Sequence, residues 1–277
     1  MRTVSLPSGE PVPVLGQGTW HLAEVPARWS DEVAALRLGI ELGMTVIDTA
    51  EMYAEGRAEE LVGEAVADRR DQVFLCSKVL PRNATRAGMA RSCEASLRRL
   101  GTDRLDLYLL HWRGSTPLEE TLAGFQALVR DGKIRYWGVS NFDLDDLEEL
   151  VALDGGADVT TDQVLYNIAH RGIEWDLLPW CRDRGLPVMA YSPVDQGRFG
   201  RHDVLRDIAR RHGVSIPELA LAWVLRQDGV LAVPRTGSVA HVRENRAAAE
   251  LQLTAAELVE VDRAFPGPDA RQPLEVL

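Results

Sequence analysis

Four polar residues have the types needed to protonate a carbonyl oxygen. Tyr53 is a poor acid at its unperturbed pKa of about 10, but a nearby ammonium favours phenolate, so Lys78 beside it would lower that pKa and make the phenol a general acid. Lys78 needs a countercharge in a dry site, and Asp48 can supply it. His111, expected to be neutral, can hydrogen-bond the carbonyl oxygen and orient it. Because none of these side chains donates hydride, a reduction here requires a nicotinamide cofactor.

These residues end or closely follow short apolar runs that recur along the chain. Near-continuous apolar runs are typical of parallel strands buried on both faces. The runs are Val12–Leu15, Thr45–Ile47, Val73–Cys76, Leu105–Leu110, Tyr136–Val139, Val159–Thr161, Leu186–Ala190 and Val230–Val233. The polar residues at or just after their ends are Asp48, Lys78, His111, Ser140–Asn141, Gln163, Tyr191–Ser192 and Arg235.

Longer amphipathic stretches separate the apolar runs and predict helices. Ser30 is a candidate cap for the first of them, and Ser215 with Glu218 and Thr254 with Glu257 have the spacing of capping boxes. The predicted helices are Asp31–Leu42, Arg57–Val66, Gly88–Leu100, Glu119–Arg130, Leu144–Leu153, Trp175–Arg184, Asp203–His212, Pro217–Arg226, Val239–Ala249 and one from Thr254 through Phe265.

Strand and helix therefore alternate about eight times, which predicts a parallel sheet closed into a (β/α)8 TIM barrel. The whole chain, residues 1–277, is expected to be a single barrel domain with extra C-terminal helices. Thr3–Leu6 and Val12–Val14, around Ser8 and Gly9, predict a β-hairpin that caps the bottom of the barrel. The active site of such a barrel lies at the C-terminal ends of its strands, where the polar residues are found.

Composition excludes several classes of partner. The formal net charge of −11 argues against binding to nucleic acid or to an anionic membrane, since both require clustered basic residues. Cys76, Cys93 and Cys181 are far apart and form no CxxC pair, so neither a disulfide framework nor a zinc site is indicated. No signal peptide and no membrane span are recognisable. We expect a cytoplasmic monomer that acts on a small molecule.

No metal and no Rossmann-type cofactor site is predicted. His21, His170, His202 and His212 lack metal-ligand spacing. Gly16 and Gly18 do not form a GxGxxG fingerprint, because position 21 is histidine.

Several motifs, in order, resemble the aldo-keto reductase superfamily over nearly the whole chain. They are the opening strand Gly16-Gln17-Gly18-Thr19-Trp20, the D-T-A-x-x-Y motif from Asp48 to Tyr53, the strand-ending Lys78, the strand Leu107–Trp112 that carries His111, and the G-K-x-R-x-x-G-V-S-N-F signature from Gly132 to Phe142. The chain most resembles small bacterial members that reduce short aldehydes, including methylglyoxal. The resemblance implies a catalytic tetrad of Asp48, Tyr53, Lys78 and His111.

The resemblance also implies contacts with NADPH. Ser140, Asn141 and Gln163 would hold the nicotinamide carboxamide, and Tyr191 would stack on the ring. The pyrophosphate would meet Ser192 and the loop that follows it, Pro193–Arg198, including Val194. Arg235 and Thr236 would meet the adenosine 2′-phosphate, and Glu244 and Asn245 would lie near adenine.

Two departures from the family pattern carry predictions. His241 stands where the family usually has an arginine, so one permanent cation is lost and NADH becomes a weaker alternative cofactor. The tail after Phe265 is short, which predicts an open substrate pocket. That pocket would be lined by Trp20, Met52 and Trp112 and would accept varied small aldehydes and ketones, methylglyoxal-like or aromatic.

Three other functions compete with a reductase. A barrel glycosidase needs two facing carboxylates, and only Asp48 is offered. A metal-dependent hydrolase needs clustered ligands, and only Asp48 and His111 qualify. A non-catalytic NADPH-binding regulatory module of the same fold is the remaining alternative, and turnover of aldehydes distinguishes it from an enzyme.

Overall fold

The computed structural model describes residues 1–199 and 203–277. An antiparallel hairpin comes first, formed by β1 (Thr3–Ser5) and β2 (Pro11–Pro13). The parallel strands that follow are β3 (Gln17–Gly18), β4 (Val46–Asp48), β5 (Phe74–Val79), β6 (Leu105–Leu110), β7 (Ile134–Ser140), β8 (Asp162–Leu165), β9 (Val188–Tyr191) and β10 (Val230–Ala232). The α-helices among the described residues are α1 (Trp29–Glu41), α2 (Arg57–Val66), α3 (Arg86–Leu100), α4 (Leu118–Arg130), α5 (Leu144–Ala152), α6 (Leu177–Asp183), α7 (Asp203–His212), α8 (Ile216–Leu225), α9 (Val239–Ala248) and α10 (Ala255–Ala264).

The eight parallel strands form a barrel in sequence order. Each strand from β3 to β10 pairs with the next, and the first and last are joined by parallel bridges from Leu15 to Ala232 and from Gly18 to Arg235. Gly18 permits this closure, because a Cβ at that position would lie 2.6 Å from the carbonyl oxygen of Val233. The predicted (β/α)8 barrel is therefore confirmed.

The hairpin lies at the N-terminal ends of the barrel strands, as predicted. Its Val4 and Val12 are paired and buried. Glu10, which lies in the loop between β1 and β2, accepts hydrogen bonds from Arg135 and Tyr136 at the start of β7. These contacts leave the opposite end of the barrel free for a site.

Two of the predicted strands are displaced. Val12–Leu15 is divided between two elements: Val12 belongs to the hairpin, Leu15 makes a barrel-closing bridge, and the first barrel strand is Gln17–Gly18. The backbone of residues 160 and 161 hydrogen-bonds to β7, but strand pairing on both sides begins at Asp162. Both observed strands contain buried polar side chains, so a search for apolar runs does not identify them.

Helix caps were predicted well in two of three cases. The capping boxes of Ser215 with Glu218 and of Thr254 with Glu257 are both formed. The Ser30 cap is wrong, because α1 begins at Trp29 and its N-cap residue Arg28 makes no side-chain cap bond. In residues 1–199 and 203–277, no helix is both long and apolar enough to cross a membrane.

Candidate active site

The four predicted catalytic residues converge at the C-terminal end of the barrel. Asp48 ends β4, Lys78 lies in the adjacent strand β5, and His111 directly follows β6. Tyr53 begins the 3-10 turn Tyr53–Gly56 that leads into α2. Parallel strands end on the same rim, so their order in the sheet brings residues distant in sequence into one cluster.

Lys78 is the centre of the cluster. Its side chain is fully buried, and its Nζ lies 2.7 and 2.8 Å from the carboxylate oxygens of Asp48, 3.0 Å from the carbonyl oxygen of Thr49 and 3.2 Å from the hydroxyl of Tyr53. Burial is the largest single influence and disfavours the ammonium, but the Asp48 carboxylate together with Tyr53 and Cys76 outweighs it, so the pKa of Lys78 is raised. Lys78 is therefore charged and held 3.2 Å from the phenol.

The pKa of Tyr53 differs from the sequence-based expectation. Lys78 does lower it, but burial is the larger influence, so the pKa of Tyr53 is raised above its ordinary value. The prediction of a lowered pKa is therefore wrong in its net direction. At neutral pH the hydroxyl keeps its proton, which is the form a general acid needs.

His111 is a neutral imidazole, as predicted. Burial, together with the Lys78 ammonium, lowers its pKa to about 3. Its ring packs edge-on against the ring of Tyr53, with the centroids 5.8 Å apart. Nδ1 is buried and has no hydrogen-bond partner among the described residues. An N–H there would be left unsatisfied, so we place the proton of the neutral ring on Nε2.

The low pKa of His111 predicts a pH-dependent loss of stability. The unfolded-state pKa is about 6.5. The folded value is about 3, so between them the unfolded chain binds the additional proton. Stability due to the neutral ring is therefore present above about pH 6.5 and is lost as pH falls toward 3. In urea titrations, the wild type should lose more unfolding free energy between about pH 7 and about pH 4.5 than His111→Gln does. The other histidines are common to both proteins, so equal losses would contradict a depressed pKa at His111.

A second group of polar side chains lies next to the tetrad. Ser140 donates to the carbonyl oxygen of Gln163 at 2.8 Å. Asn141 adopts a left-handed backbone with φ of 57°, donates to the carbonyl oxygen of His111 at 3.1 Å and accepts from the Tyr191 hydroxyl at 2.9 Å. Gln163 donates to Asp48 at 2.8 Å, so it also fixes the carboxylate that holds Lys78. The structure thus places four predicted cofactor residues beside the predicted catalytic ones.

Tyr53 and His111 of the tetrad and all four residues of the second group line a cavity of about 510 Å³. The other predicted residues on its wall are Trp20, Met52, Trp112, Ser192, Pro193, Val194 and Arg235. The wall also contains Gln196, from the predicted loop Pro193–Arg198, and three residues that were not predicted: His21, Val233 and Leu277. His21 follows Trp20, but nothing in the local sequence pattern marked Leu277.

Leu277 reaches the cavity because the tail folds back over the barrel. Arg271 pairs with Asp145 and Asp176, and Glu275 accepts from His170 at 3.0 Å. The backbone N–H of Leu277 then donates to the Tyr191 hydroxyl at 3.4 Å. The expectation that a short tail leaves the pocket open is therefore corrected: the tail forms part of its wall. Trp20, Met52 and Trp112 remain between one third and one half exposed at the mouth.

Except for Arg235, the predicted adenosine residues lie outside this cavity. Thr236 follows Arg235 in the segment after β10. The other predicted residues, His241, Glu244 and Asn245, lie on α9, which is capped by Ser238. His241 is exposed, Glu244 is half-buried and Asn245 is buried. Arg235 lines the cavity edge and donates to the carbonyl oxygen of Trp20 at 2.9 Å. Contact of these residues with a nucleotide stays a prediction.

Neither a metal centre nor a disulfide is present in the described part of the chain. No group of three His, Cys, Asp or Glu side chains there is arranged to hold a metal ion. All three cysteines are buried free thiols. His202 lies outside the described residues.

Known proteins agree with the geometry. The model of the aldo/keto reductase family matches residues 14–265. The chain belongs to this family. Like other aldo/keto reductases it is an oxidoreductase, and the resemblance noted from the motifs is confirmed.

Three similar proteins illustrate the relationship. Methylglyoxal reductase YeaE of Escherichia coli (strain K12) is 51% identical over 271 residues, which cover 96% of this chain and 95% of that protein. Glyoxal reductase of Bacillus subtilis (strain 168) is 31% identical, with 96% of both chains covered. An aldo/keto reductase from Klebsiella pneumoniae, crystallised with NADP and acetate, is 49% identical with a TM-score of 0.97, over 100% of this chain and 99% of that one.

Proposed function

We propose that this protein reduces small aldehydes and ketones to alcohols with NADPH, and that Tyr53 is the proton donor. The observation that carries the proposal is the contact of the buried Lys78 ammonium with both Asp48 and the Tyr53 hydroxyl in the cluster that adjoins the cavity. Methylglyoxal-like and aromatic aldehydes are the proposed substrates. The names of the E. coli and B. subtilis relatives support the first class.

The residues present suit a nicotinamide cofactor. Bound NADPH would supply hydride to the carbonyl carbon. The amide and hydroxyl cluster of Ser140, Asn141 and Gln163 offers donors and acceptors for a carboxamide, and Tyr191 offers a ring face. The NADP-bound K. pneumoniae structure supports this assignment.

The phosphates of the cofactor would be held by the loop after β9 and the turn after β10. Ser192, Pro193 and Val194 would meet the pyrophosphate. Arg235 and Thr236 would meet the 2′-phosphate beside the N-terminus of α9, where a helix favours anions. Glu244 and Asn245 would lie near adenine. Because His241 stands where the family usually has an arginine, one permanent cation is lost, and NADH is proposed as a weaker alternative.

Three side chains share the proton transfer. His111, with its proton on Nε2, would donate a hydrogen bond to the carbonyl oxygen and orient it. Tyr53 would deliver its proton to that oxygen as hydride arrives at carbon. The phenolate left behind is stabilised by the Lys78 ammonium, which lowers the pKa of Tyr53 against the influence of burial.

The mouth of the cavity suits neutral, apolar substrates. Trp20, Met52 and Trp112 present apolar surface there. Such surface holds small carbonyl compounds by shape and area rather than by directed polar contacts, so we propose broad specificity. We further propose a cytoplasmic monomer with no nucleic-acid or membrane partner, in keeping with the net charge of −11.

Arg235→Ala is expected to raise KM for NADPH at least about tenfold and KM for NADH by less than about twofold, because a guanidinium on a phosphate contributes over 1 kcal/mol. Initial rates with each cofactor at saturating aldehyde measure the two values. Arg243→Ala is the matched control, since Arg243 is exposed on α9 and no role is proposed for it. An equal rise in both KM values would remove Arg235 from the 2′-phosphate site.

The decisive experiment is turnover. Purified protein is mixed with NADPH or NADH and with methylglyoxal, glyoxal or benzaldehyde, and the nicotinamide absorbance is followed. Oxidation of NADPH with formation of the alcohol is expected. Quenching of tryptophan fluorescence by NADPH without oxidation across the panel would favour the non-catalytic NADPH-binding module instead.

A further inference from the structure

The turn that carries Tyr53 has an unfavourable backbone conformation. Directly after Tyr53, Ala54, Glu55 and Gly56 all have positive φ, at 47°, 58° and 91°. Ala54 and Glu55 are not glycines, so this conformation is unfavourable and persists only where the surroundings fix it. The hydroxyl of Tyr53 has one hydrogen-bond partner among the described residues, Lys78. Contacts with residues outside the turn must therefore help to hold it in this conformation.

Glu51, two residues before Tyr53, ties the turn to the strand that carries Lys78. Its backbone N–H donates to the carbonyl oxygen of Lys78 at 3.4 Å. Its side-chain Oε1 accepts from the backbone N–H of Leu80 at 2.7 Å and from the amide of Asn83 at 3.1 Å. The two backbone attachments lie at Lys78 and two residues beyond it, so they brace the end of β5 against the Tyr53 turn.

We propose that Glu51 is a positioning residue that sets the spacing between the Tyr53 hydroxyl and the Lys78 ammonium. This proposal rests on Tyr53 being the proton donor. A one-residue brace can have this effect because proton transfer and stabilisation of phenolate both depend steeply on distance, and a displacement of about 1 Å can reduce turnover by about a hundredfold. Glu51 acts through Lys78 and Tyr53, and no contact with substrate is assigned to it.

A purely structural alternative is evident. Leu80 precedes the 3-10 turn Pro81–Asn83, so the Glu51 carboxylate also satisfies an N–H at the start of that turn. If this were its whole contribution, replacing Glu51 would lower stability and leave the chemistry unchanged. The test therefore needs a readout that follows the Tyr53–Lys78 pair.

Two conservative variants separate the effect of the length of the Glu51 side chain from the effect of its charge. Glu51→Asp keeps the carboxylate but is one methylene shorter, so it no longer reaches Leu80. Glu51→Gln loses the charge but keeps an Oε1 that can accept from both donors. We expect Glu51→Asp to lower kcat by about ten- to hundredfold and Glu51→Gln by less than about threefold, each with KM for NADPH within about twofold of wild type.

The pH profile supplies the second readout. The Lys78 ammonium lowers the pKa of Tyr53, and burial raises it. If Glu51→Asp lets the phenol move away from Lys78, the lowering weakens and the pKa rises further. Reduction needs protonated Tyr53, so the alkaline limb of kcat should move to higher pH in Glu51→Asp and stay in place in Glu51→Gln.

A control within the same turn is Arg57→Ala. Arg57 donates to the carbonyl oxygen of Ala54 from the side of α2 and makes no hydrogen bond to β5 among the described residues, so kcat should stay within about twofold of wild type. If Glu51→Asp fails to fold, Leu80→Pro removes the donor instead. The φ of −69° at Leu80 suits proline, and the same loss of kcat and alkaline shift are expected.

The outcomes distinguish the two proposals. Normal kcat and an unmoved alkaline limb in Glu51→Asp, or equal losses in Glu51→Asp and Glu51→Gln, would overturn the positioning proposal. Neither outcome tests Tyr53 as the proton donor, which is tested separately with Tyr53→Phe. Undiminished turnover in Tyr53→Phe would reject Tyr53 as the proton donor, whereas an inactive Tyr53→Phe beside a fully active Glu51→Asp rejects only Glu51.

Discussion

Replacing Tyr53 with phenylalanine is expected to lower kcat for aldehyde reduction by about 10²- to 10⁴-fold, with the affinity for NADPH kept within about twofold. Phenylalanine keeps the ring that packs edge-on against His111 and loses only the hydroxyl. That hydroxyl is 3.2 Å from Lys78 and carries the proton the reaction needs. Steady-state rates from nicotinamide absorbance and fluorescence titration with NADPH measure the two quantities separately.

The chain offers a matched control for this substitution. Tyr108 lies in β6, and its buried hydroxyl has no hydrogen-bond partner in the part of the chain that the structure describes. Tyr108→Phe therefore removes the same atom from another buried tyrosine and should leave kcat unchanged. Wild-type turnover in Tyr53→Phe would refute the assignment of the general acid, and equal losses in both variants would point to a structural effect.

The catalytic cluster was predictable from sequence because it depends on strand order. Asp48, Lys78 and His111 end or follow apolar runs, and neighbouring parallel strands must end at one rim. Helix ends with capping boxes, such as Ser215 with Glu218, were equally predictable, because the two partners lie three positions apart in the sequence.

What could not be predicted depends on contacts distant in sequence. The bounds of strand β8 were not predicted because its Asp162 and Gln163 are polar yet buried. The position of Leu277 depends on pairs such as Arg271 with Asp145, which no local pattern encodes. The pKa of Tyr53 was misjudged for the same reason: the charge of Lys78 is visible in the sequence, but the extent of burial, which has the larger influence, is a property of the folded barrel.

The buried pair of Asp48 and Lys78 gives the second large prediction. Lys78→Met leaves the Asp48 carboxylate buried with Gln163 and Cys76 as side-chain donors but no countercharge, and breaking such a pair costs about 3–5 kcal/mol of unfolding free energy. Asp48→Asn leaves the Lys78 ammonium without its countercharge and should destabilise the protein in the same range, about 3–5 kcal/mol. The wild-type unfolding free energy from urea titration is the reference for both.

The double variant separates the structural contribution of the pair from its catalytic one. Asp48→Asn with Lys78→Met contains no buried charge at this position, so its unfolding free energy should be within about 2 kcal/mol of wild type, well above either single variant. Its kcat should nevertheless stay at least about a hundredfold below wild type, because no ammonium remains to stabilise the Tyr53 phenolate. A double variant destabilised by the sum of the two single effects would show that the side chains are not coupled. Recovery of both kcat and stability in the double variant would mean that Lys78 contributes to the stability of the fold and not to proton transfer.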